Sequence, residues 1–79
     1  MKVRILVTRR EGVLDPEGRA LVSALRDLGH GAVADVRTGK LLLLELDAPS
    51  AESARTQAAE MCEKLLANPV IESYAIEIL

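Results

Sequence analysis

A chain of 79 residues, 49% of them hydrophobic, makes one domain near the lower size limit for independent stability, burying only about 60% of its unfolded surface. A net charge of −2 and a single aromatic ring, Tyr74, argue against nucleic acid, which wants basic patches and stacking platforms. The lone cysteine, Cys62, can form no intrachain disulfide, so a disulfide-stapled secreted fold is excluded.

Val3, Ile5 and Val7 alternate with Lys2, Arg4 and Leu6, the period of a half-buried strand, and predict a first strand over 2–9. Asp15-Pro16 predicts a helix start, with Asp15 as N-cap and Pro16 in the first turn. Ala20, Leu21, Ala24, Leu25 and Leu28 then form one apolar stripe. Gly29 can take positive φ and stop the helix, giving a helix over 16–28. The stretch 33–46 is strand-like throughout, with Gly39 as its weak point: a hairpin turn, or a bend or bulge in one long strand. Within it, Leu42, Leu44 and Leu46 line one face of the strand, and Leu41 and Leu43 the other.

Pro49-Ser50 predicts a second helix with Ser50 as N-cap and Glu52 near the positive end of the dipole. Its inward stripe is Ala51, Ala54, Ala58, Met61, Cys62 and Leu65. Pro69 ends it by forcing Asn68 out of the α region. A last strand over about 70–78 alternates Tyr74, Ile76 and Ile78 against Ser73, Ala75 and Glu77. The order β-α-β(β)-α-β, with no linker or repeat, predicts one α+β domain over 1–79. This is a two-layer, ferredoxin-like sandwich with both helices on one side of the sheet. Helices of so short a chain cover one sheet face, so the other face or the sheet edge is expected to pair with another subunit.

The opening stretch Met1-Lys2-Val3-Arg4-Ile5-Leu6-Val7 interleaves basic and apolar residues, unlike the continuous apolar run of a signal peptide. No run approaches the roughly 20 residues that span a bilayer. The expectation is a soluble, cytoplasmic protein.

Chemistry-bearing constellations are sparse. His30 and Cys62 are the only soft metal-ligand candidates, and neither has a partner at ligand spacing. His30, between two glycines, reads as an exposed turn residue, and Cys62 as a small buried hydrophobe. Gly39-Lys40 fails as a phosphate loop, because Ala34 and Leu41 stand where Gly and Ser or Thr are required. With one His, no Ser-His-Asp scheme is credible. Glu60 and Glu63 face solvent in a mixed-charge pattern. Arg37 and Lys40 flank Gly39 in the middle of the expected strand. They read either as charges that protect a sheet edge or as contacts to a partner, Arg37 being able to grip a carboxylate through two hydrogen bonds. Arg37, Gly39, Lys40, Leu41 and Leu43 are thus the interface candidates; catalytic, cofactor-binding and metal residues are expected to be none.

Three blocks carry a family resemblance: Val13-Leu14-Asp15-Pro16-Glu17-Gly18, Asp35-Val36-Arg37-Thr38-Gly39-Lys40, and the stretch from Glu60-Met61-Cys62-Glu63-Lys64 through Leu65-Leu66-Ala67-Asn68-Pro69-Val70-Ile71-Glu72-Ser73-Tyr74. Together they resemble the PurS family from end to end. The resemblance implies a small subunit of phosphoribosylformylglycinamidine synthase, the amidotransferase of the fourth step of purine biosynthesis. In that family a glutaminase subunit (PurQ) releases ammonia, and a synthetase subunit (PurL) uses ATP to install it on formylglycinamide ribonucleotide. The PurS-like subunit carries no catalytic residue, and ATP, Mg and glutamine belong to its partners. As a homodimer, or a dimer of dimers, it bridges the other two and helps assemble the ammonia path. An alternative is a regulatory module of the ACT type, which shares the element order and binds an amino acid near a Gly-containing loop such as Glu11-Gly12-Val13.

Overall fold

The computed structural model describes residues 1–79. Three strands and two helices follow in the order β1 (Lys2–Arg9), α1 (Pro16–Asp27), β2 (Gly39–Glu45), α2 (Ala51–Met61) and β3 (Glu72–Ile78). The strands form one antiparallel sheet in the order β2-β1-β3. This is the expected α+β, ferredoxin-like class, with strand and helix bounds within two residues of those expected.

The alternation in β1 decides the core. Val3, Ile5 and Val7 are 0% exposed and pack with Ala54, Ala58, Cys62 and Ala67. Leu42, Leu44, Tyr74, Ile76 and Ile78 border this cluster from the flanking strands. Helix α2 brings small residues to the sheet, which lets its axis approach closely. Its start is capped by Ser50, whose Oγ accepts from Ser53 N at 3.1 Å.

After Met61 the helix makes a single π turn over Cys62–Leu66, closed by Ala67 N donating to Cys62 O at 3.0 Å. A π turn inserts one extra residue and rotates the following side chains. Leu65, expected on the inward stripe, is therefore 82% exposed, and Leu66 and Ala67 turn inward instead. Ala51, placed on the same stripe, is exposed as well.

Helix α1 forms where expected. Asp15 Oδ1 accepts from Gly18 N at 3.0 Å, Pro16 opens the first turn, and Gly29 follows with φ +99°. Its position is not the expected one. Helix α2 packs on β3 and β1, whereas α1 has no comparable contact with any strand, and Gly18 is its only buried residue. The stripe on α1 consequently has little cover: Leu21 is 42% and Leu28 76% exposed.

The chain returns from α1 through 31–38, an extended segment that pairs with no strand, and enters β2 at Gly39 opposite Thr8. No hairpin forms at Gly39; one extended path runs through it, and only its second half joins the sheet. Helix α1 and segment 31–38 together make an arm beside the sheet end, clasped by Arg26 Nε donating to Val33 O at 3.0 Å. The shape records it. The radius of gyration is 15.8 Å and the extents are 50 × 25 × 14 Å, against about 11.6 Å for a compact chain of this length. The accessible surface is 5590 Å², against roughly 4,650 Å² for a compact protein of this mass.

Candidate functional site

The sheet face opposite α2 has no cover. Register places Leu41 and Ala75 on either side of Leu6, and Leu43 and Glu77 on either side of Arg4. These side chains share the outer face because each lies an even number of residues from the next along its strand. Leu6 is 47%, Leu41 56% and Leu43 70% exposed, so three leucines meet solvent on one small surface. They border a shallow depression of about 570 Å³ that also touches Arg4, Ala75 and Glu77. An Arg4–Glu77 ion pair crosses β1 to β3 on this face, and Thr8 Oγ1 and Ser73 Oγ share a hydrogen bond at 3.3 Å. The chemistry is an apolar patch toward β2, bordered by satisfied polar groups.

The base of the arm is the second organised region. Asp15 is 2% exposed and accepts from Thr38 N at 2.6 Å, Thr38 Oγ1 at 2.8 Å and Gly18 N at 3.0 Å. Arg9 Nε lies 3.9 Å from the carboxylate. The Thr38 N–H first, then that of Gly18, with smaller help from the Thr38 hydroxyl and Arg9, hold the carboxyl down at about 2 against the opposing effect of burial. Gly18 permits this junction, because a Cβ there would stand 2.1 Å from Val36 O.

Of the interface candidates, Leu41 and Leu43 lie on the uncovered face. Lys40 is exposed on β2, which is an edge strand. Gly39 lies at the start of β2 and not in mid-strand; a Cβ there would come 2.4 Å from Val7 O. Arg37 lies outside the sheet altogether. Its Nη2 donates to Arg10 O at 2.9 Å and Val13 O at 3.0 Å, so it holds the β1–α1 loop in place. Sequence reasoning assigned Asp15 only its capping role and missed its grip on Thr38, 23 residues away. The available signal was Gly18, a glycine inside a helix, which costs about 1 kcal/mol relative to Ala and so asks for a packing reason.

Little else has chemical potential. His30 is exposed. Cys62 is buried, and burial first, then the neighbouring Glu63 charge, push its thiol up, away from the thiolate a nucleophile needs. No three His, Cys, Asp or Glu side chains converge on a point. No helix is long and apolar enough to cross a membrane.

Comparison with known proteins agrees with this picture. Residues 2–79 fit the family model for PurS, phosphoribosylformylglycinamidine (FGAM) synthase. The phosphoribosylformylglycinamidine synthase subunit PurS of Synechocystis sp. is 51% identical over 75 residues, covering 95% of this chain and 75% of that protein. Its counterpart in Archaeoglobus fulgidus is 50% identical over 72 residues, covering 91% and 90%. Among solved structures, PurS of Methanocaldococcus jannaschii superposes with TM-score 0.87 at 39% identity, covering 96% of this chain and 92% of that one. A chain of the PurLQS structure from Thermotoga maritima superposes with TM-score 0.90 at 37% identity, covering 99% and 95%.

Proposed function

The chain belongs to the PurS family, and from that premise we propose that it is the non-catalytic bridging subunit of phosphoribosylformylglycinamidine synthase. That complex is an ATP-dependent carbon–nitrogen ligase with glutamine as amido donor. In it the glutaminase (PurQ) releases ammonia and the synthetase (PurL) uses it to convert formylglycinamide ribonucleotide to formylglycinamidine ribonucleotide. The role of this chain is to join the two and help ammonia pass between them. ATP, magnesium and glutamine are handled by the partners, and the location is cytoplasmic, where those soluble substrates are found.

The observation that carries the reading is an organised apolar face without catalytic furniture. Covering Leu6, Leu41 and Leu43 is worth about 1.5–3 kcal/mol each, in a domain whose whole stability is on the order of 5 kcal/mol. A surface with that much at stake is made to be buried against protein. The presence of a close structural relative within a PurLQS structure supports partners of that kind. We assign the outer sheet face to a homodimer contact between two copies, which leaves the helical sides and edges for the two enzymes. The amino-acid-binding alternative loses its ground: the family match runs through the whole chain, and Glu11 and Gly12 form an exposed turn.

The test is assembly. Mixing purified glutaminase and synthetase subunits, with and without this chain, and weighing the species by light scattering after gel filtration should give one three-component particle only when the chain is present. Equal association of the two enzymes without it would remove the bridging role.

A further inference from the structure

The outer sheet face is one of three apolar surfaces that this fold leaves open. A second runs along α1, where Leu14, Leu21 and Leu28 recur every seven residues and are 68%, 42% and 76% exposed. A seven-residue repeat keeps these side chains near one line of a helix, and the partly buried Leu25 lies beside it. The third is a groove of about 430 Å³ beside α2, lined by Leu44, Met61, Leu65 and Leu66, with Glu60 and Lys64 at its rim. The groove lies on the inner side of the sheet toward β2, where a second helix would cover the half that α2 leaves bare.

Helix α1 does not fill its own groove. The Asp15–Thr38 hydrogen bonds, the two Arg37 bonds to the preceding loop and the Arg26–Val33 clasp fix it in the arm. The Gly18–Val36 approach leaves no slack at its root. The length nevertheless suits the groove: twelve residues make a helix of about 18 Å, and the seven residues of β2 span about 23 Å. Because β2 is an edge strand, the groove is open from the side.

We propose that the α1 arm of each copy packs its leucine stripe into the α2–β2 groove of a second copy. The inference rests on the homodimer reading above and specifies how that dimer is built. One chain carries both the unfilled groove and the uncovered helix that fits it, and a two-fold pair satisfies both with a single contact made twice. A foreign partner would have to supply a separate cover for each. The amount of surface agrees. The 5590 Å² of this chain exceeds the compact expectation by roughly 900 Å², close to the roughly 800 Å² per partner of a standard stable interface. Three short strands give the outer face too little area to reach that figure alone, and the exchanged arms supply the remainder.

The native chain is small enough for a direct test. Isotopically labelled and unlabelled copies are unfolded, mixed in equal amounts and refolded together, and filtered nuclear Overhauser spectra then report only contacts between copies. Light scattering on the same sample gives the mass. Cross-copy contacts from the Leu21 and Leu28 methyls to those of Leu44, Met61 and Leu65 are expected at twice the monomer mass. A dimer in which those contacts are absent, or arise within one copy, overturns the arm exchange and leaves the dimer standing. A monomer at the millimolar concentration of the experiment overturns both.

Discussion

Replacing Gly18 with alanine sets two effects of opposite sign against each other. Alanine is the better helix former, by about 1 kcal/mol in a helix interior, and on propensity alone Gly18→Ala would stabilise α1. The structure puts the new Cβ 2.1 Å from Val36 O, with the Asp15 carboxylate at 3.1 Å on another side. A carbon–oxygen contact is comfortable only near 3.3 Å, so helix and segment 31–38 must separate by about 1.2 Å. Thr38, two residues from Val36, donates to Asp15 at 2.6 Å, and that bond lengthens as the gap opens. Overpacking of this kind costs about 1–3 kcal/mol, and the weakened Asp15 contacts add to it. The net expectation is a loss of about 1–3 kcal/mol, which for a domain this small lowers Tm by roughly 4–20 °C. Gly31→Ala is the control, since nothing lies within 4 Å of a Cβ there and the change should be neutral or mildly stabilising. Far-ultraviolet circular dichroism during urea and thermal unfolding, at one fixed protein concentration because association shifts apparent stability, reads both variants. A Gly18→Ala protein as stable as the native chain would refute the close approach of arm helix and return segment.

Three further outcomes are expected. Leu43→Glu, on a side chain already 70% exposed in the single chain, should keep the circular dichroism spectrum but shift the dimer to monomer in sedimentation; an unchanged mass would place the dimer contact elsewhere. Asp15 is held at about 2 against its ordinary 3.8, so its folded state binds fewer protons than the unfolded one. Its contribution is complete above 3.8 and is lost as pH falls through about 2; urea midpoints measured across that window should fall more steeply for the native chain than for Asp15→Asn, and parallel curves would contradict the assignment. Tyr74 donates to Glu63 at 2.7 Å, and this bond, ahead of burial, raises the phenol above its usual 10.0. Ultraviolet titration of the tyrosinate should show Glu63→Gln bringing the midpoint back toward 10, and an unmoved midpoint would mean the bond does not form in solution.

Most of the fold was legible because it depends on local patterns. Val3, Ile5 and Val7 announced the buried side of β1, Asp15-Pro16 and Gly29 bracketed α1, and the run from Leu41 to Leu46 split into two faces as the pleat requires. The rest turned on interactions that no local pattern records. A π turn at Cys62–Leu66 exchanged Leu65 for Leu66 on the inward side, and helical periodicity alone has no place for the extra residue. Helix α1 carries an ordinary amphipathic stripe, and periodicity shows that a stripe will be buried without showing against which chain. Arg37 stood out as a charge beside leucines, yet its guanidinium satisfies two carbonyls of the preceding loop. That contact depends on where the loop passes. Leu41 and Leu43 were readable as interface residues because their exposure follows from strand alternation and from the shortage of covering chain.

The central claim is that this chain couples two enzymes and performs no chemistry itself. Its most direct test compares synthesis of formylglycinamidine ribonucleotide by the synthetase and glutaminase from glutamine and from free ammonia, each with and without the chain. If the chain is the bridge, the glutamine-dependent rate should collapse without it, while the ammonia-dependent rate persists. Equal glutamine-dependent rates in both cases would contradict the account.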